Sequence, residues 1–346
     1  MGNLSQDSLV TLLICSDLGM DSVSKKKYKP YTTVQWNKLV EKMLNSSLQK
    51  PSMLLNAQKE TVTKELNLSD DEFLRIEFLL RRGGNIAMEI ERLESKGINI
   101  TTRADEKYPQ RLKKVLKKYA PPVVFFSGSL KLLNEKGIGV VGSRDVGEEG
   151  VLFTRKLASK CVKDSCIVVS GGARGVDSIA EKTSLENGGS AISFVADSLS
   201  KKVKDMEVRN AILKGKYLVL SAVNPDGRFM AYSAMDRNKY IYALSQYVVA
   251  VSSSDNKGGT WAGAVENLNK RWVPLFVRDG ERVPLGNKKL IKLGGKPMHI
   301  SVLESNEMSI EKWCEESKGV ECLNDNCKQI TISSLMGENV NEYKIK

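Results

Sequence analysis

From residue 137 to residue 277, short β-branched and apolar runs alternate with amphipathic stretches. This alternation limits the fold more than any other feature of the chain. GIGVV, CIVVSGG, SAISFVA, YLVLSA, YVVAVSS and VPLFV read as strands. EEGVLFTRKLASKCVKD, GVDSIAEKTSLENGG, VRNAILKGK, RNKYIYALSQ and WAGAVENLNKR read as the helices between them. Strand and helix in turn at this spacing predict an α/β fold, an extended Rossmann-like, doubly wound, mostly parallel sheet. The strand segments are almost continuously apolar, as strands covered on both faces are.

Residues 1–95 differ and read as a small helical domain. QWNKLVEKMLN, DDEFLRIEFLLRR and IAMEIERLESKG place apolar residues at helical spacing. Ser69 is expected to cap a helix, and Gly83-Gly84 and Gly97 to end the helices before them. The expected division is therefore a helical domain at 1–95, a Rossmann-like domain at 96–298 and a short tail at 299–346.

The chain of 346 residues carries a formal net charge of +12. Residues 301–346 hold nine acids and five lysines, so the charge is concentrated in the preceding body. The stretch KYPQRLKKVLKK, Lys107 to Lys118, has six basic residues and no acid. A basic body points to a polyanionic partner, nucleic acid first. No run is long and apolar enough to span a bilayer, and the N-terminus lacks the basic region and cleavage site of a secretory signal. A cytoplasmic location without membrane association is expected. The six cysteines include no CxxC pair, which suits a reducing compartment. Cys314, Cys322, Cys327 and the single histidine, His299, are too widely spaced for an ordinary zinc site. No metal and no cofactor is expected.

In a doubly wound sheet, ligands bind beyond the carboxyl ends of the strands. Three loops fall there: Gly142-Ser143-Arg144, the run from Ser170, Gly171 and Gly172 through Arg174 and Gly175 to Asp177, and Lys257-Gly258-Gly259-Thr260. Glycines let the backbone approach an anion, helix N-termini aim N–H groups at it, and arginine adds a forked donor. Together they read as a phosphate-binding rim. The plainer alternative is that glycines only turn the chain and Arg174 is an internal strut. Gly137 to Gly142 matches GxGxxG, but a dinucleotide fingerprint follows its strand and this one runs through it, so NAD is not expected. Arg237, Asn238 and Lys239 are placed at a helix start that presents basic residues. Phe229, Tyr232, Tyr240 and Tyr242 lie nearby and are read mainly as core.

Seven segments, GINITTRADEKYPQRL, APPVVFFSGSL, IGVVGSRDVG, VVSGGARGVDSIAEKTSLENGG, MDRNKYIYALS, GGTWAGAVENL and VPLGNKKLIKLGGKPM, occur in an order that resembles the bacterial DNA-processing protein A (Smf) family. The resemblance implies a protein, not an enzyme, that binds single-stranded DNA in a basic pocket. It further implies a homodimer that protects the strand and hands it to a RecA-type recombinase in DNA uptake and recombination. Carried over by motif, the pocket would hold Ser143, Arg144, Ser170, Gly171, Arg174, Gly175, Arg237, Asn238 and Lys239. Asp177 would orient Arg174 or cap the following helix, with a pKa lowered by its arginine.

Three departures mark a divergent member. SGGARGVD and RNK replace the usual SGLARGID and RNR, no basic winged-helix module follows, and PDGRFMAYSAMDRN lacks a proline-rich approach. The rival reading is a nucleotide-sensing or nucleotide-hydrolysing protein, similar to phosphoribohydrolases, with Glu266 in a partial echo of their PGGxGTxxE loop. Trp261 is bulky for that loop.

Overall fold

A computed structural model describes residues 4–228 and 231–318. The chain divides into two compact units, Met1–Leu130 with Ala196–Met230 and Lys131–Val195 with the remainder. Neither follows the expected boundaries at 95/96 and 298/299.

The first unit opens with helices Gln6–Cys15, Ser22–Lys27, Thr33–Leu44, Lys59–Glu65, Asp70–Leu80 and Gly83–Glu94. Thr32 with Gln35, and Ser69 with Glu72, form capping boxes that satisfy the first N–H groups of their helices. Val10, Ile14, Trp36, Leu39, Met43, Ile76 and Leu79 share one buried cluster. Gly97, at φ +73°, closes the last of these helices as expected. Gly83-Gly84 instead open a helix, because the one before already stops at Leu80.

The residue that holds this turn is Arg82, which is buried. Its Nη1 donates to the Leu18 carbonyl at 2.8 Å and its Nε to that of Leu79 at 3.2 Å. Its Nη2 donates to Ser16 at 3.1 Å and also to Leu13. Burial lowers its pKa to about 10, so it remains a cation at neutral pH.

Strands are numbered in chain order. In the first unit β1 (Asn99–Thr102) pairs antiparallel with β2 (Val123–Gly128), and β2 antiparallel with β6 (Tyr217–Ser221). Residues 96–130 pack with the helices rather than beyond them, because Thr102 Oγ1 bonds Ser8 Oγ at 3.0 Å and Ser8 also bonds Asp105. YLVLSA forms a strand as read from the sequence, and it is antiparallel to β2, with Phe125 opposite Ser221.

The second unit holds β3 (Gly137–Gly142), β4 (Ile167–Ser170), β5 (Ala191–Val195), β7 (Tyr247–Ser252), β8 (Leu275–Arg278) and β9 (Lys296–Met298). Their order is β5-β4-β3-β7-β8-β9, and every pair is parallel. Helices Glu148–Lys163, Val176–Glu186, Ala231–Leu244, Gly258–Lys270 and Leu285–Lys292 accompany the strands. This is the mostly parallel α/β architecture that the alternation predicts. The chain moves outward from β3 to β5, then returns to lay β7 on the other side of β3. Gly137 and Gly139 sit within β3, where a Cβ would approach Val169 Cγ2 to 2.9 Å and Val248 Cγ2 to 2.6 Å. Their role is close packing.

Residues 300–318 pack on the sheet and helices of this unit. Trp313 packs on Phe276 with ring centroids 5.2 Å apart, and Ile310 and Cys314 are buried. Lys160, buried beside Asp164 at 3.3 Å, donates to the carbonyls of Ser305 and Met308. Cys322 and Cys327 lie outside the described residues.

Arg82→Met removes the donors of four buried carbonyls at one corner. It should cost about 3 kcal/mol or more, since each buried acceptor left unpaired costs about 1–3 kcal/mol. Urea unfolding followed by circular dichroism measures this. A loss below about 1 kcal/mol would show that those carbonyls find other partners.

Candidate nucleic-acid interface

Because β4, β3 and β7 are parallel neighbours, their carboxyl ends open side by side, and the loops after them form one rim. The loops are joined by backbone bonds. Ser143 N donates to Ser252 O at 2.8 Å, and Val176 N donates to Ser143 O at 3.2 Å. Glycine is required where the loops touch. Gly175 has φ +85°, and a Cβ there would lie 2.4 Å from Ser143 O and 2.6 Å from Arg144 O. A Cβ on Gly142 would lie 2.5 Å from Val176 Cγ2. These glycines thus seat one loop on another, and any anion contact comes in addition.

The expected site residues separate into outward and inward groups. Arg144 and Arg174 are exposed beside each other's loops, and Lys257 is exposed at the third. Gly258, Gly259 and Thr260 form the first turn of helix Gly258–Lys270, which no side chain caps. Its leading N–H groups and positive dipole end suit a phosphate. Asn238 Nδ2 donates to Gly259 O at 2.8 Å and so fixes this turn from the neighbouring helix.

Ser170, by contrast, is buried and its Oγ donates to Val140 O at 2.6 Å, so it faces the sheet. Lys239 pairs with Asp236 on its own helix and lies over the Tyr240 ring. At the helix Val176–Glu186, the N–H groups of Val176 and Ser178 go to Ser143 O and Ala173 O. That N-terminus offers fewer donors than the sequence suggests.

Arg237 is the largest correction. It is the seventh residue of Ala231–Leu244, not at its start, and is only 8% exposed. The helix phase turns it inward, toward Gly171. A Cβ on Gly171 would lie 1.4 Å from Arg237 Nη1, so the guanidinium fills the space a side chain would take. Arg237 Nη1 stands 3.4 Å from Asp177 Oδ2, and both side chains are buried. Asp177 therefore partners Arg237. Arg174 pairs instead with Asp145 at 2.6 Å, on the surface.

The pKa of Asp177 also moves opposite to expectation. Burial pushes it up to about 6; Arg237 and the Ala173 backbone pull it down, and Glu181 adds to the rise. Desolvation outweighs the ion pair because the carboxylate has almost no water around it. Glu181, also buried, accepts from Gly172 N at 2.9 Å, holding the same loop from the next helical turn. Loop 171–175 thus rests on two buried carboxylates and a buried arginine. Neither Glu181 nor Asp145, the surface partner of Arg174, was singled out from sequence.

Glu266 has its pKa raised by burial, with Lys239 opposing and Asp236 reinforcing the shift. Trp261, Tyr240 and Tyr242 are buried and belong to the core. Phe229 lies outside the described residues, and the Tyr232 side chain is likewise not described. Among the described residues, no three His, Cys, Asp or Glu side chains are grouped to hold a metal ion. No helix among them is long and apolar enough to cross a membrane.

A parallel sheet with a switch point between β3 and β7 and a cationic rim above it defines the Rossmann-like class of α/β proteins. Within that class the chain belongs to the DNA recombination-mediator protein A family, whose profile matches residues 99–302. It is 27% identical over 202 residues to DNA processing protein DprA of Streptococcus pneumoniae, across 56% of this chain and 68% of that one. It is 27% identical over 166 residues to DprA of Bacillus subtilis, across 47% and 55%. The X-ray structure of the Streptococcus pneumoniae protein superposes with a TM-score of 0.63 at 20% identity, covering 86% of this chain and 95% of that one. That likeness is one of fold.

The sign of the Asp177 shift is measurable. Its folded pKa, about 6, exceeds the ordinary 3.8, so the folded state holds this proton more tightly than the unfolded state does. The stability of the parent relative to Asp177→Asn should fall as pH rises from 3.8 to about 6, then level off. Urea midpoints of both proteins across that range give the difference. A difference that rises with pH would mean that Arg237 outweighs burial.

Proposed function

We propose that this chain binds single-stranded DNA along the rim formed by the loops after β3, β4 and β7. Arg144, Arg174 and Lys257 are the outward cations, and the first turn of Gly258–Lys270 supplies backbone donors. The observation that carries this reading is the adjacency of those three loops, each bringing one exposed cation to a common edge. The contacts on offer are to phosphate, which gives affinity without sequence readout. Gly142, Ser143, Gly171, Gly175, Arg237, Asn238 and Asp177 shape and hold the loops.

Membership of a family described as DNA recombination mediators supports the larger role. In that role the protein is a non-enzymatic, cytoplasmic homodimer that protects single strands and passes them to a RecA-type recombinase.

Fluorescence anisotropy with an oligo-dT strand and a matched duplex tests the site. Arg144→Glu and Arg174→Glu should each weaken single-strand binding by about tenfold or more, the worth of one charged hydrogen bond, without lowering the melting temperature. Binding by both variants equal to the parent's would remove the rim from the site. Arg237→Glu should instead unfold or destabilise the protein, because it sets two carboxylates against each other in the core. Asp145→Asn should strengthen binding several-fold, since it frees Arg174 and removes an anion from the edge. Turnover of AMP or ATP by the parent that disappears in Glu266→Ala would favour the hydrolase reading.

A further inference from the structure

The most basic stretch of the sequence plays no part in the rim. It forms a corner of the first unit, made by helix Gln110–Leu116 and the 3-10 turn Lys117–Tyr119. Leu112 and Leu116 are buried and anchor it, so Lys113, Lys114, Lys117 and Lys118 are left exposed on its outer side. None of these four lysines pairs with a carboxylate among the described residues. Elsewhere on the surface many lysines do, including Lys25 with Asp17 and Lys59 with Asp70. Tyr119 is 46% exposed, with the Lys118 Nζ 5.7 Å from its ring centroid.

The backbone of the corner carries strain. Lys117 lies at φ +51°, ψ −120°, a conformation that glycine takes freely and a side chain does not. Its N–H closes the helix on Lys113 O, a position where glycine is the ordinary residue. The corner is also braced. Asn37 donates to Lys118 O at 2.5 Å and accepts from Arg103 at 2.7 Å, and Tyr108 Oη donates to Pro121 O at 2.8 Å. A charged side chain is thus kept at a strained position on a rigid support, with three more lysines and an open aromatic face beside it. Complementing the helix dipole accounts for Lys113 and Lys114. It does not account for Lys117, Lys118 or Tyr119, which lie past the helix end.

We infer that this corner is a second contact for single-stranded nucleic acid. The four lysines neutralise successive phosphates and Tyr119 stacks on a base. The inference rests on the single-strand reading above and adds a site to it. A cationic edge interleaved with an exposed aromatic ring is what sequence-tolerant single-strand binding uses. A membrane surface fits less well, because insertion needs an exposed apolar wedge and the leucines of this segment are buried.

The test uses the full chain, an oligo-dT strand and a salt series. Each phosphate contact to a single strand contributes about 0.7 to the slope of log affinity against log salt. Lys113→Ala, Lys114→Ala and Lys118→Ala combined should therefore lower that slope by about 2. Lys117→Gly should weaken binding several-fold yet melt no lower than the parent, because it loses the charge and the strain together. Tyr119→Ser should weaken binding without changing the slope. A parent slope in the triple variant, or parent affinity in Lys117→Gly, overturns the inference.

The two sites fail separately. If Arg144→Glu and Arg174→Glu bind as the parent does while the triple variant loses slope, the corner stands and the rim does not. If the reverse holds, the corner falls alone. Binding to phosphatidylserine vesicles that the triple substitution abolishes, with the DNA slope unchanged, assigns the corner to a membrane and also overturns the inference.

Discussion

The position of β3 between β4 and β7 governs the site. A strand order that grew in one direction would carry successive loops away from one another. Here the chain reverses, so loops separated by more than a hundred residues share one edge of the sheet. Parallel pairing then makes all of them carboxyl-end loops. The strand order brings the cations to that edge, and Gly142 and Gly175 let the loops that carry them touch.

What keeps the edge in shape is a set of buried charges beneath it. Arg237 fills the space that a side chain on residue 171 would need, and Asp177 and Glu181 hold the same loop from the next helix. Each charge is costly to bury alone. The raised pKa of Asp177 records that cost, and the polar bonds around it offset part of it. The corner at Arg82 in the first unit solves a similar problem, with one guanidinium serving four backbone carbonyls. In both units an arginine that sequence alone would assign to the surface acts as an internal fastener.

The strands and helices of the second unit were legible because their burial pattern is periodic and local. Gly137 to Gly142 could be recognised as strand rather than fingerprint for the same reason. β1 and β9 were not, because Asn99–Thr102 and Lys296–Met298 are short and take their strand character from pairing with distant residues. The compact units cut across the expected domain limits because of long-range packing, through Ser8 on Thr102 and through Trp313 on Phe276. At the site, Arg144 and Arg174 were legible as exposed loop cations. Arg237 and Ser170 were misread, since a motif names residues but not the direction in which a helix or strand turns them. Asp177 reads as orienting Arg174 or capping its helix because Arg174 is near it in sequence, whereas its partner Arg237 lies sixty residues away.

The division of the chain has a consequence for how it is made. Neither unit is a continuous stretch of sequence. The first begins at the N-terminus, yet its strand β6 is synthesised only after β3, β4 and β5 of the second. The second in turn waits for helix Ile310–Lys318 to cover Phe276. A ribosome therefore releases two half-built cores before it completes either, each with an unpaired strand edge or bare aromatic surface, and such edges invite aggregation. The first unit cannot be obtained whole by cutting at residue 130, because that cut removes β6 and leaves β2 paired with β1 alone within the unit. The first core thus closes only once β6 has been made, and the second only with the helix that covers Phe276, so each early segment must wait for a later one before it is buried.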